Sequence, residues 1–329
     1  MSNKEYLENL FERLENENLR PGLELPEGVS YKSDLTIAYE ARIESQQLDN
    51  PEFIPLLTDR LSKEKVTKEK INIIHVLVSL ADKVQDHSIA DFIINFVKNE
   101  KVRWVKDVAL GDLVRSNIQV DKEKEYLFEL VKNKDWQIKL SSLGLLKKLD
   151  DSYSPRIENI CIELIELNKK KPHELNSICG VLSKHGSNKS LERIKEVART
   201  NSKAFTVNTA IGAIASINGT NELEFFREIS ETNRNNDVKS MSTQALCKYG
   251  DETVIDILIK RAKNILSKTR KSKIHYVGGS QPELVHILKF LTQYTDSRVD
   301  KLIDFIISKK LDLMDETESK WFHENIKKA

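Results

Sequence analysis

Two interleaved series of apolar positions run through this 329-residue chain at one shared period, and that leaves few folds open to it. The first series is Leu57, Phe92, Leu127, Ile160, Ile194, Phe226 and Leu258, in steps of 32 to 35 residues. The second falls between these anchors, as Leu77, Ala109, Leu143, Cys179, Ile211 and Ala245, in steps of 32 to 36. Local spacing around the anchors is helical. Ile89, Phe92, Ile93, Phe96 and Val97 recur at i, i+3, i+4, i+7 and i+8, as do Ile157, Ile160, Cys161, Leu164 and Ile165. Two helices per period make the unit an antiparallel helical hairpin. One hairpin cannot bury its own apolar face, so neighbours must stack into a continuous core. The expected fold class is all-α.

Second helices read as the inner layer, because Ile71, Ile73, Ile74, Leu77, Val78 and Leu80 put apolar groups on more than one side of a single helix. Gly186, Gly219 and Gly250 stand where a left-handed helix cap is expected, and Asp135 and Asp237 stand where a side-chain oxygen would cap a helix start. With only 11 glycines and 7 prolines, the chain is poor in breakers. Its 52 basic and 51 acidic side chains nearly cancel, which excludes a global field drawing it to nucleic acid or a membrane. Cys161, Cys179 and Cys247 lie far apart within apolar helical patterns and are expected as reduced core residues. No signal-peptide core and no membrane-length apolar run occurs, so the expected location is cytoplasmic.

The pairs Val102-Arg103, Ile138-Lys139 and Val238-Lys239 near second-helix starts, the Ala245-Leu246 step and the closing Gly250 resemble HEAT repeats of the HEAT/armadillo type. The Trp-Leu-Gly-Tyr pattern of tetratricopeptide repeats and the Thr-Pro-Leu-His of ankyrin repeats are missing. The resemblance implies a right-handed α-solenoid of stacked antiparallel helical hairpins. Residues 1–50 then form an amino-terminal helical cap, with helices at 4–17 and 33–47 and a break from Pro21 to Gly28. The array covers 51–311, and 312–329 form a carboxy-terminal capping helix whose Trp321 and Phe322 close the core behind Leu302, Phe305 and Ile306.

Three features are candidates for function. From Leu258 to Leu302 the step is 44, and the excess falls in a loop at 267–281. Between Asp256 and Glu283 there is no acid, whereas Lys260, Arg261, Lys263, Lys268, Arg270, Lys271 and Lys273 are followed by His275 and Tyr276. Such a loop suits an anionic ligand or an acidic partner, with Tyr276 available to stack. Second, Trp104, Asp107, Gly111 and Arg115 share one helix face, opposite Val102, Val105, Ala109 and Leu113. Third, Lys70, Arg103, Lys139, Lys203 and Lys239 recur at second-helix starts, either as a ladder for an acidic peptide or as partners of acids in the preceding repeat.

HEAT-like alkylpurine DNA glycosylases use tryptophan, aspartate and arginine in a concave groove, and Trp104, Asp107 and Arg115 resemble part of that set. Trp136 shares its face with Leu140 and Leu143 and is expected to be packed. His173-Glu174 and His323-Glu324 lack a second histidine for zinc, and no nucleophile elbow or paired Cys-x-x-Cys occurs. No catalytic residue, metal or cofactor is expected. The expected function is a non-catalytic scaffold binding a protein partner on its concave face. The alternatives are a nucleic-acid-binding or glycosylase-like protein and an immunity or inhibitor protein that sequesters a toxin or enzyme.

Overall fold

In a computed structural model, which describes residues 2–24, 33–267 and 281–326, the anchors fall on strictly alternating helices. The chain divides into two compact units, 1–153 and 154–329. The first contains α1 (Asn3–Leu14), α2 (Ile37–Gln47), α3 (Phe53–Lys63), α4 (Thr67–Val84), α5 (Ser88–Asn99), α6 (Arg103–Arg115), α7 (Lys124–Leu130) and α8 (Trp136–Lys148). The second contains α9 (Ser154–Leu167), α10 (Pro172–His185), α11 (Asn188–Thr200), α12 (Ala204–Asn218), α13 (Leu223–Thr232) and α14 (Asn236–Tyr249). It ends with α15 (Ile255–Ile265), α16 (Glu283–Leu291), α17 (Ser297–Lys309) and α18 (Glu316–Asn325). No β-strand occurs among the described residues, and none of their helices is long and apolar enough to cross a membrane.

The two anchor series mark two kinds of helix. First-series helices bury one stripe, as α3 does with Phe53, Leu57 and Leu61 and α11 with Leu191, Ile194 and Val197. The second-series helix α4 buries more of its circumference. Ile73, Ile74, Val76, Leu77, Val78, Leu80 and Ala81 are all buried along α4, which packs against α2, α3, α5 and α6. Each such side chain contributes about 1.5–3 kcal/mol when it leaves water. The inner helices touch one another in series, as α2–α4–α6–α8 in the first unit and α10–α12–α14–α16–α18 in the second.

The ends complete these cores. Leu7, Leu10, Phe11 and Leu14 are buried on α1, whose start carries a reciprocal Ser2–Glu5 capping box. This helix is shorter than the 4–17 expected, and the 33–47 segment opens with a 3-10 turn at 33–35 before α2. At the other end Leu302, Ile306 and Phe322 are buried, while Phe305 and Trp321 are half-buried.

Two expectations about helix ends are corrected. Gly186, Gly219 and Gly250 do not adopt a left-handed conformation; their φ values are −76°, −50° and −76°. They are glycines for lack of room. A Cβ at Gly186 would lie 2.5 Å from Leu182 O and 2.6 Å from Ile217 Cδ1, one at Gly219 would meet the Tyr249 ring at 2.7 Å, and one at Gly250 would press on Leu246 O. The left-handed helix cap is a non-glycine, Gln85, at φ 58°. Asp135 caps α8 as expected, but α14 is capped by Asn235, whose side chain accepts from Asp237 N and Val238 N, so that Asp237 lies inside the helix.

Polar links at the repeat distance join neighbouring hairpins. Asp91 Oδ1 accepts from the amides of Asp121, Lys122 and Glu123 at 3.0–3.1 Å, ahead of α7. Glu158 on α9 does the same for α11, accepting from Ser187 N at 2.6 Å, Ser190 N at 3.2 Å and Ser187 Oγ at 2.8–2.9 Å. Burial alone would raise its carboxyl pKa, but these donors outweigh burial and hold it below the ordinary value. In the opposite direction, Lys83 Nζ donates to Gln47 O at 2.7 Å, and Lys148 Nζ to Leu113 O at 2.5 Å and to Ser116 O, closing the ends of α2 and α6.

Candidate binding site

The face of α6 that turns away from Val105, Ala109 and Leu113 carries the expected quartet. Trp104 is 63% exposed, with its indole unburied in the first turn of the helix. One turn on, Asp107 is half-buried; burial pushes its carboxyl pKa up and nearby Asp135 adds to the rise, against the opposing charges of Arg103 and Arg115. The missing side chain of Gly111 leaves room for Arg115, whose Nη1 would lie 3.4 Å from a Cβ there. Arg115 also pairs with Asp112. Trp104 and Arg115 stand about 16 Å apart along the axis, at 1.5 Å per residue. Val102 is corrected: it is the non-helical residue before α6 and 38% exposed rather than packed.

A cavity of about 580 Å³ opens beside Arg115. Leu14 of α1 and Val76 and Val78 of α4 supply apolar wall, α2 contributes Arg42, and α4 adds Asn72, His75 and Asp82. Asp112 is its most buried acid, at 7% exposure. Its Oδ1 holds Arg115, and its Oδ2 lies 2.5 Å from His75 Nδ1 outside hydrogen-bond alignment. Asp82 accepts from Asn117 N at 2.6 Å, and beside it burial lowers the Lys148 pKa against the pull of the Asp82 charge. Apolar side chains flank the cavity's helices: Tyr39 and Ile43 on α2 are 41% and 39% exposed, and Leu140 on α8 is 36% exposed. Trp136, expected to be packed, is half-buried, and of its face-mates Leu143 is buried and Leu140 exposed.

Asp112, His75, Asn72 and Arg42 were not singled out by sequence reasoning. A signal existed for one of them. Val105, Ala109, Asp112 and Leu113 occupy i, i+4, i+7 and i+8, so an acid fills a slot of the apolar template.

The cation series is divided. Lys70 pairs with buried Glu100 at 2.6 Å, and Arg103 pairs with Asp135. Both acids come from the following segment rather than the preceding repeat, because each acid sits at or just before the start of the next second helix. Burial would raise the Glu100 pKa, but Lys70 and the amides of Val102 and Lys101 hold it low. Lys139, Lys203 and Lys239 form no ion pair among the described residues, and Lys239 donates to Glu231 O at 3.3 Å. Lys268, Arg270, Lys271, Lys273, His275 and Tyr276 lie outside the described residues. Of the flanking cations, Lys260 pairs with Glu231 at 2.9 Å, Arg261 grips Glu283 through two bonds of 2.7 and 2.9 Å, and Lys263 lies over the Phe305 ring.

Cys161 and Cys179 are fully buried and Cys247 half-buried; burial pushes the Cys179 and Cys247 thiols up to about 12 and raises that of Cys161 as well. His185 near Cys179 has its Nδ1 2.8 Å from Ser154 Oγ. No cluster of three metal-ligating side chains occurs among the described residues. The chain matches no family model, and no curated protein is significantly similar to it.

Proposed function

We propose that this chain is a non-catalytic interaction scaffold, an α-solenoid of HEAT-like hairpins that holds a protein partner on the outward face of α2, α4, α6 and α8. The observation that carries the reading is Trp104, 63% exposed on a helix whose next turns bear Asp107 and Arg115. Tryptophan, tyrosine and arginine dominate the energetics of protein interfaces, because each couples a large apolar surface to a polar end. Tyr39 and Ile43 of α2 and Leu140 of α8 are exposed as well. Leaving four large apolar side chains of one unit in water costs solubility without stabilising the fold, which favours a surface that is covered in use.

The test is site-specific photo-crosslinking in the native cell from positions 39, 104 and 140, with Leu167, a 76%-exposed side chain of the second unit, as the comparison. One polypeptide captured from all three positions and not from 167 supports the scaffold; the same yield from 167 removes it. A second reading rests on Asp107, whose pKa is raised by burial beside an exposed tryptophan and two arginines. It makes the face a nucleic-acid site resembling that of the glycosylases. Crosslinks to DNA, with release of a methylated base that is lost in Asp107→Asn, would favour it over the first.

A further inference from the structure

The cavity beside Arg115 contains two acids and two arginines, and both acids are already engaged. Asp82 is held by the Asn117 amide, and Asp112 Oδ1 by Arg115, with His75 within ion-pair range of Oδ2. His75 Nδ1 lies 2.5 Å from Asp112 Oδ2 without hydrogen-bond alignment, so that this oxygen is a buried acceptor turned towards the imidazole. Apart from that oxygen, the cavity groups left without a partner are donors. Asn72 Nδ2 is buried and unpaired. Arg42 is exposed, and its guanidinium forms no hydrogen bond or ion pair among the described residues. Arg115 uses one Nη on Asp112 and keeps the rest of its fork. A ligand that completes this cavity has to bring acceptors.

Charge and wall chemistry narrow the class. Arg42 and Arg115 against Asp82 and Asp112 leave no formal surplus, so a dianionic phosphate would be drawn to the arginines while being pushed by two fixed carboxylates. Attraction and repulsion halve together for a monoanionic carboxylate, but its desolvation cost falls further, and it matches a guanidinium fork equally well. Leu14, Val76 and Val78 offer apolar wall to the methylenes of such a side chain, and Ile43 lies next to Arg42 on α2 for an apolar neighbour.

We propose that this cavity binds the carboxylate of an acidic side chain carried beside an apolar residue on a partner polypeptide. Arg42, Arg115 and Asn72 bind the group, and Asp112 acts as a positioning residue that fixes Arg115. The inference rests on the scaffold reading and gives that partner its chemistry.

The experiment titrates the full-length, isotope-labelled protein with acetyl-Leu-Glu-Leu-amide, with its glutamine counterpart and with inorganic phosphate, and follows the arginine Nε–Hε resonances assigned through Arg42→Lys and Arg115→Lys. The glutamate peptide should shift both signals saturably, and binding should weaken roughly tenfold or more for the glutamine peptide and for Arg42→Ala, a substitution that removes no side-chain hydrogen bond or ion pair seen among the described residues. Equal binding of the two peptides, or no saturable shift with glutamate, overturns the proposal. Tighter binding of phosphate overturns it too, and reassigns the cavity to a phosphorylated ligand. The two readings fail separately. A partner crosslinked from position 104 whose affinity is unchanged by Arg42→Ala keeps the scaffold and removes the carboxylate site, whereas carboxylate binding in a chain that crosslinks to nothing does the reverse.

Discussion

Replacing Glu158 tests whether neighbouring hairpins are held by polar capping as well as by apolar contact. The α11 helix starts at Ser187, and a helix start leaves amides without intrahelical acceptors. In a capping box the third helical residue would supply a carboxylate to the cap amide, but here that residue is Ser190, and Glu158 reaches over from α9 to fill the role. The Ser187 amide has Glu158 as its acceptor, at 2.6 Å, and the carboxylate is 5% exposed. A hydrogen bond to a charged group is worth about 1.5–3 kcal/mol, and a carboxylate at a helix start adds up to about 1 kcal/mol, so Glu158→Ala should cost about 3 kcal/mol locally. Hydrogen exchange at the Ser187 amide reads this directly, as an acceleration of roughly a hundredfold at neutral pH, each tenfold being about 1.4 kcal/mol. Glu158→Gln keeps an acceptor and loses the charge, so it should cost about 1 kcal/mol. The pH dependence has a definite sign. Because the folded pKa lies below the unfolded one, the native state binds fewer protons, and the contribution is full above the unfolded value and lost as pH falls through the folded one. The gap between wild type and Glu158→Gln should therefore close in acid. Exchange in Glu158→Ala within about threefold of wild type, or a gap that widens on acidification, would refute the reasoning.

Three further outcomes follow from side-chain surroundings. Gly219 has helical dihedrals that alanine ordinarily improves, but the Tyr249 ring at 2.7 Å leaves no room, so Gly219→Ala should lower stability by about 1–3 kcal/mol in urea unfolding; a stabilised variant would show that the ring moves aside at no cost. Asn235→Ala should cost about 1 kcal/mol and Asp237→Ala less than half of that, and the opposite ranking would return the cap of α14 to Asp237. At pH 8 the native protein should leave Cys161 and Cys179 unalkylated by iodoacetamide while urea exposes both, because burial keeps each as a neutral thiol; rapid native labelling of either would contradict its placement.

Much of the helical layout was legible because it repeats. Each anchor from Leu57 to Leu258 falls on a first-series helix and each from Leu77 to Ala245 on a second-series helix, since apolar spacing reports burial averaged over a turn. What a pattern cannot report is the cause of a single residue. Gly186 and Gly250 end their helices as expected, but for lack of space: a Cβ on either would press on a carbonyl of its own last turn and on the Ile217 or Val254 side chain, contacts that no local pattern reports. The exposed Trp104 and its face were readable from spacing along one helix. The cavity was not, because Arg42, His75 and Asp112 lie 33 and 37 residues apart and meet only through packing of α2, α4 and α6. Asp112 did leave a trace, as a charge in an apolar slot, and such a misplaced acid marks a buried polar site that needs partners from elsewhere.

The carboxylates that reach amides one repeat away bear on how the chain finds its proper order. Apolar stripes of similar width on successive hairpins would accept many neighbours, and a repeat that skipped one position would still bury leucine against isoleucine. Asp91 and Glu158 make such a slip expensive. A hairpin docked out of sequence leaves the buried Glu158 carboxylate, or the half-buried Asp91, facing no amide, and the next helix start without its acceptor. The apolar core decides that the hairpins associate; a few oxygens near helix starts decide which one comes next.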